Sequence, residues 1–346
     1  MFQAVLSTAP SWQWASTLDE ALRMAHDCPM CVGQPLNQLV LVGRGEYLLW
    51  TLHHALYDAW SLKLILQEVQ QRYAGAEPSR YYSSGASFSH FVHYTRPDTL
   101  ASSRRFWASY LASSPRVQLF GYSQIDRPRL DGKLFHTSAL SNRLPIPSTT
   151  LASIILGTWA VVVNRLTGSD DITLGYHLNG RTAPLRGIET CVGPTASIVP
   201  VRVAATSPDT YGREIPELMR LVQRQLVKIL PYAVTGLEHI RTTSGDARAA
   251  CDFPLYVVVH PEGSVDFTPG SNNVLSLQAA SVAGNGGGPL SVECELAKES
   301  VRVMVRWDTR AASEQDIHGM LGTFDDVLCE VDNVSTWDGL NEDLET

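Results

Sequence analysis

The 346-residue chain is 44% hydrophobic, with 27 Lys and Arg against 35 Asp and Glu and a net charge of −8. That composition supports a sizeable core, divided between two lobes rather than one, and argues against long disorder. No basic cluster marks a nucleic-acid surface, and the acidic balance favours solubility without naming a partner.

The opening MFQAVLSTAPSWQW lacks the basic n-region and cleavable apolar core of a signal peptide. Six cysteines are scattered along the chain, and only Cys28 and Cys31 form a CxxC. With no second Cys/His pair at finger spacing and no thioredoxin-like context, that pair is expected to be neither a zinc nor a redox site. A reduced chain in the cytoplasm is the expectation. NQLVLVG and EYLLWTLHH are rich in β-formers on either side of RGE, which predicts a hairpin whose second strand delivers His53 and His54. SLKLILQEVQQRY follows, with Leu62, Ile65, Leu66, Val69 and Tyr73 on one helical face and Ser61 as the expected N-cap.

A second helix is predicted over DTLASSRRFWASYLASS. GYSQIDRPRLDGKLF is rich in Pro, Gly and charge and is expected to be a crossover. Ser148 or Thr149 is the expected cap of an apolar helix running to Leu166. Its LASIILGTWAVVV run is too short to span a bilayer and predicts a buried helix. DITLGYHLNGR and ASIVPVRVAA are predicted strands, and GREIPELMRLVQRQLVKILPYA an amphipathic helix. FPLYVVVHPE is a further strand, and GNGGGP is a flexible loop without the Lys-Ser/Thr of a phosphate cradle. LSVECELAKE and SVRVMVRWDTR form a predicted hairpin. The closing helix, SEQDIHGMLGTFDDVLCEV, carries a stripe of Ile317, Met320, Leu321, Phe324, Val327 and Leu328.

The stretch LHHALYDAWS holds the chemistry. It lies at a strand–loop–helix junction, where the helix dipole favours a neutral imidazole, and a neutral imidazole accepts a proton from an attacking amine, hydroxyl or thiol. Asp58, four residues after His54, is badly placed as a nucleophile and suited to fixing the loop by pairing with an arginine. A structural His–Asp patch is the alternative. HxxxD supplies two metal ligands and nothing nearby a third. No G-x-S-x-G occurs, so a serine hydrolase is not indicated.

HHALYDAWS resembles the HHxxxDG motif of the condensation domains of nonribosomal peptide synthetases, in its fungal form. SFSHFVHY…SSRRFWASYL, GYHLNGRTAPLRGIETCVGPTASIVPVRV and RWDTRAASEQDIHGMLGTF are similar to later stretches of that family. The resemblance implies an α/β, two-lobed, chloramphenicol-acetyltransferase-like fold with mixed sheets flanked by helices. Residues 1–120 are expected to form an incomplete N-terminal lobe, 121–133 a crossover linker, and 134–346 the C-terminal lobe. It further implies that upstream and downstream peptidyl carrier domains bring phosphopantetheine-tethered substrates to a tunnel between the lobes, alongside an adenylation domain of the same assembly line. An acceptor amine then attacks a donor thioester. No cofactor would bind the chain directly, and no metal, nucleic acid or membrane is expected; the chain is expected to be a monomer. His54, His53 and Asp58 form the implied catalytic set: His54 acts on the amine, His53 packs and hydrogen-bonds, and Asp58 braces the loop. Arg181, in the NGR stretch, is the implied partner of Asp58, and Ala59 and Trp60 are expected to line the tunnel.

Two departures from the family pattern stand out. Ala59 occupies the position of the motif's glycine, which would penalise a positive φ by roughly 1–2 kcal/mol and narrow the tunnel. The motif also comes early, so the chain is expected to be truncated at its N-terminus, with FQAVL a strand partway through the lobe and a sheet edge exposed. Three other functions remain open: a macrocyclising terminal domain, an inactive carrier-docking scaffold, and a freestanding HxxxD acyltransferase using coenzyme A.

Overall fold

A computed structural model describes residues 11–28, 30–31, 33–77, 87–95, 100–122, 128–140, 146–204, 215–261 and 290–342, with side chains of the last segment described to Val331. The expected FQAVL strand and GNGGGP loop lie outside these residues.

The first part of the chain builds a three-stranded sheet. Strand β1 (Trp12–Ala15) runs parallel to β2 (Asn37–Val42), which pairs antiparallel with β3 (Tyr47–Leu52). The last two are the predicted hairpin. Helix α1 (Leu18–His26), capped by the Thr17 hydroxyl, covers one face through Ala21 against Ala15, Val40 and Val42. The other face is apolar and carries Trp12 and Trp14, which are 51% and 64% exposed. Neither β1 nor α1 was expected from the sequence. After β3 come a 3₁₀ turn (His54–Leu56), helix α2 (Ala59–Tyr73) and helices α3 (Phe88–Tyr94) and α4 (Leu100–Tyr110). The last falls within the second predicted helix.

The described remainder forms a larger body. Its strands are β4 (Gly132–Ala139), β5 (Asp171–Leu178), β6 (Ser197–Ala204), β7 (Tyr256–His260), β8 (Leu290–Leu296) and β9 (Ser300–Trp307). Among the described residues their order is β4-β9-β8-β7-β5-β6. The pairs β5–β7 and β7–β8 are parallel and the others antiparallel, so the sheet is mixed. Strand β4 begins inside GYSQIDRPRLDGKLF, where Pro, Gly and charge hide its alternation: Gly132, Ser138 and Leu140 are buried, while Lys133, Phe135 and Thr137 face out.

Helix α5 (Leu151–Thr167) crosses one face of this sheet, beside α6 (Ile215–Ile229) and α9 (Glu314–Glu342). Every residue of α5 from Ser153 to Val163 is buried, as a helix apolar on all sides requires. Trp159 stacks on Phe324 of α9 at 4.5 Å, and the whole predicted α9 stripe is buried. The cap of α5 is Thr150, not Ser148 or Thr149: its hydroxyl accepts from the Ser153 N–H, and Ser153 reciprocates. Ser148 instead takes a left-handed turn, with φ of 64°.

Helix α4 packs on the larger body, close to two short helices, α7 (Leu237–Arg241) and α8 (Gly245–Ala250). Trp107 and Leu111 are fully buried in the large core, and the Trp107 indole N–H donates to the Thr235 hydroxyl at 3.2 Å. No described helix is long and apolar enough to cross a membrane.

Candidate active site

The site is a junction between the two bodies, made by the segment from His53 to Ser61. Strand β3 ends at Leu52, and the His53 N–H still donates to the Leu36 carbonyl at 2.9 Å. The His53 Nδ1 accepts the Ala55 N–H at 3.1 Å and thereby caps the 3₁₀ turn. His53 thus shapes the backbone of the loop. The His54 ring lies flat on Tyr57, with centroids 4.6 Å apart and planes at 5°, and its Nδ1 is 3.0 Å from the Tyr57 carbonyl. A carbonyl only accepts, so Nδ1 donates. In the neutral ring Nε2 then carries the lone pair, and the histidine is exposed to use it.

Asp58, not Ser61, caps α2. Its carboxylate accepts the Ser61 N–H at 2.7 Å, and the Asp58 N–H donates to the Ser61 hydroxyl at 2.9 Å. This is a capping box with serine at its third helical position. The D-x-x-S spacing was the available signal, and it moves the helix start forward to Ala59.

The larger body closes on the same carboxylate. Arg181 donates from Nη1 to Asp58 Oδ2 at 2.8 Å and from Nη2 to Oδ1 at 3.1 Å, a bidentate pair whose side chains are 5% and 6% exposed. The Arg181 Nη2 also donates to the Cys191 carbonyl at 3.1 Å. Thr195, fully buried, donates its N–H to Asp58 Oδ2 at 3.0 Å. Its hydroxyl lies 2.7 Å from the Asn179 carbonyl and 3.2 Å from Asp58 Oδ2. Nothing in the sequence singled out Thr195, because a backbone N–H leaves no residue-type signature.

Burial alone would raise the Asp58 carboxyl. The Arg181 hydrogen bonds, the Ser61 N–H and the Arg181 charge outweigh it and hold the group below the usual carboxylate range. Two glycines make the close approach possible. Gly180 turns the chain at φ 66°, where a Cβ would strike the Thr195 carbonyl. Gly193, at φ 153°, lies against the Phe88 ring of α3.

Trp60 fastens the junction further. Its indole N–H donates to the Glu189 carbonyl at 2.8 Å, and the Arg181 guanidinium sits over its ring at 5.7 Å. Ala59 is the first residue of α2 and is exposed, and its φ is not positive. The expected backbone penalty for alanine therefore does not arise. Among the described residues no three His, Cys, Asp or Glu side chains are grouped to hold a metal.

The sequence model of the condensation domain matches residues 33–259. The chain is 31% identical to the nonribosomal peptide synthetase apmB of Penicillium brevicompactum over 98% of its own length, and 30% identical to the HC-toxin synthetase of Cochliobolus carbonum over 91%. It spans only 14% and 6% of those two proteins. The fold is similar to that of the epimerization domain from the third module of tyrocidine synthetase B, with a TM-score of 0.65 at 13% identity, covering 94% of this chain and 80% of that one. It is also similar to the starter condensation domain of rhizomide synthetase, with a TM-score of 0.65 at 17% identity over 95% of this chain and 78% of that one.

Proposed function

The chain belongs to the condensation-domain family, and from that premise we propose that it forms an amide bond between a donor acyl thioester and an acceptor amine. One observation carries this reading. The exposed His54 ring is fixed through Nδ1 by the Tyr57 carbonyl, which leaves Nε2 as the basic atom. Nε2 takes the proton that the amine sheds as the C–N bond forms, and the resulting N–H returns it to the departing sulfur. While protonated, it also faces the oxyanion of the tetrahedral intermediate. Asp58 and Arg181 do not react. They hold the Tyr57 carbonyl and the start of α2 in one place, so the imidazole keeps its direction.

The substrates arrive as thioesters of phosphopantetheine arms on carrier domains upstream and downstream, charged by an adenylation domain of the same assembly line. No group of the chain itself need hold a cofactor. Ala59 and Trp60 border the loop on its open side, and we assign them to the wall along which the arms pass. The three-stranded sheet with α1 and α2 is read as the smaller lobe and the six-stranded sheet as the larger one. All six cysteines are free thiols, which supports a reducing, cytoplasmic setting.

The test is product formation from two loaded carrier proteins. His54→Ala is expected to lower turnover by about 10²–10⁴-fold with unchanged circular dichroism. Near-normal turnover by that variant would remove the catalytic assignment. Carrier binding without product in the unmodified chain would turn the reading to a docking scaffold.

A further inference from the structure

Amide formation from an amine that enters as an ammonium must dispose of two protons. The balance is R–NH3+ plus R′CO–SR″ giving R′CO–NHR, HSR″ and one H+. One proton ends on sulfur and one leaves for solvent. An α-amino group titrates near about 7.7–8.0, so at neutral pH the first proton has to be removed before the nitrogen can attack. A single imidazole at His54 handles one proton at a time.

A second histidine sits on the larger body, four residues before Arg181. His177 is the next-to-last residue of β5. Strand alternation puts it on the sheet face opposite the buried Leu174 and Tyr176. The parallel register Tyr176↔Val257 sets Val258 level with His177, and His260 one pleat further along the same face. Glu293 of β8 pairs with Val258 and shares that face too. The His260 Nε2 lies 3.8 Å from Glu293 Oε2, with the two side chains 20% and 35% exposed. Three titratable groups thus run across three neighbouring strands, from the half-buried His177 toward solvent.

We propose that His177 is a second proton acceptor of the site, taking the first proton from the acceptor ammonium and passing it through His260 and Glu293 to solvent, while His54 takes the second. The inference rests on the amide-forming reading above. The electrostatics agree with it. Burial, then the charge of His260, lower the His177 pKa; Asp58 and Glu293 oppose them and His54 adds to them. His177 is therefore neutral at neutral pH, and as a weaker base than the amine it passes the proton on rather than keeping it. The His54 imidazole then receives only the proton released as the C–N bond closes, and it returns that proton to sulfur as the C–S bond opens.

The experiment uses the full chain with a pooled set of aminoacyl N-acetylcysteamine thioesters as donors and acceptors, and measures dipeptidyl thioester by mass spectrometry. At about pH 6.5, His177→Gln is expected to slow product formation roughly tenfold to a hundredfold. The deficit should vanish at about pH 8.5, where the amine is already neutral. It should also vanish with an aminooxy acceptor, which is neutral at both values. His260→Gln should show the same pattern, weaker. His54→Ala should be slow under every condition. A deficit in both glutamine variants that is the same at every pH and with both acceptors, or none at about pH 6.5, overturns the proposal. If the unmodified chain makes no dipeptide at all, it is the amide-forming reading that fails, and the second acceptor falls with it.

Discussion

Arg181 grips both carboxylate oxygens of Asp58 from 123 residues further along the chain, with neither side chain open to water. A pair this enclosed is costly to break from one side. Arg181→Leu leaves a buried carboxylate uncompensated and is expected to destabilise the protein by about 3–5 kcal/mol. In chemical denaturation the double variant with Asp58→Asn should lose less than the two single losses added together, which measures the coupling directly.

The same pair sets an acid limit. The folded pKa of Asp58 lies below its ordinary value, so the contribution is present in full above the unfolded value of about 3.9. It is lost as pH falls through the lower, folded value. Stability measured against pH should therefore drop less steeply on the acid side in Asp58→Asn than in the unmodified chain. Equal slopes would mean that the pair is not formed in solution.

Thr195 supports the carboxylate with its N–H and packs its hydroxyl against the Asn179 carbonyl. Thr195→Val keeps the first contact and deletes the second, leaving the Asn179 carbonyl the longer bond from Arg181 Nη1 at 3.3 Å, for an expected cost of about 0.5–1.5 kcal/mol. Thr195→Ser should recover most of that loss in the melting curve.

Trp60→Phe keeps an aromatic ring beside Arg181 but deletes the hydrogen bond to the Glu189 carbonyl. We expect a stability loss of about 0.5–1.5 kcal/mol. A larger effect on the apparent affinity for carrier substrates than on fold stability would support the placement of Trp60 along the tunnel wall.

Ala59→Gly restores the residue type the family motif carries. Because position 59 is helical, glycine gains nothing from its freedom there and should cost up to about 1 kcal/mol. A rise in turnover on this substitution would show that the alanine methyl obstructs a substrate arm.

Much of this architecture was legible because its signals are local. The β2–β3 hairpin, the apolar α5 and the α9 stripe each announce themselves by periodicity within a dozen or so residues. The edges were harder. Ser61 and Asp58 are both acceptable caps by residue type, and only the reciprocal bonds decide between them. Strand β4 was lost because Pro128, Arg129 and Asp131 just ahead of it look like loop, while its pairing with β9 lies 160 or more residues away. At the site, the motif carries His53, His54 and Asp58, and Arg181 was suggested by the resemblance of the NGR stretch. The pairing of Trp60 with a carbonyl, the backbone contact of Thr195 and the strand neighbours of His177 belong to the tertiary register, which sequence spacing does not carry.

The double duty of Asp58 has a kinetic consequence. Its bonds within α2 are three residues apart and can form as soon as that turn does, on a timescale of about a microsecond or less. Its bonds to Arg181 and Thr195 must wait for loops of well over a hundred residues to close, and such contacts form late and slowly. An unfinished chain can therefore own a well-made helix start and still lack an aligned His54. If the chain forms amides as proposed, a nascent or stalled intermediate should be inactive until the long-range bonds of Asp58 to Arg181 and Thr195 have closed.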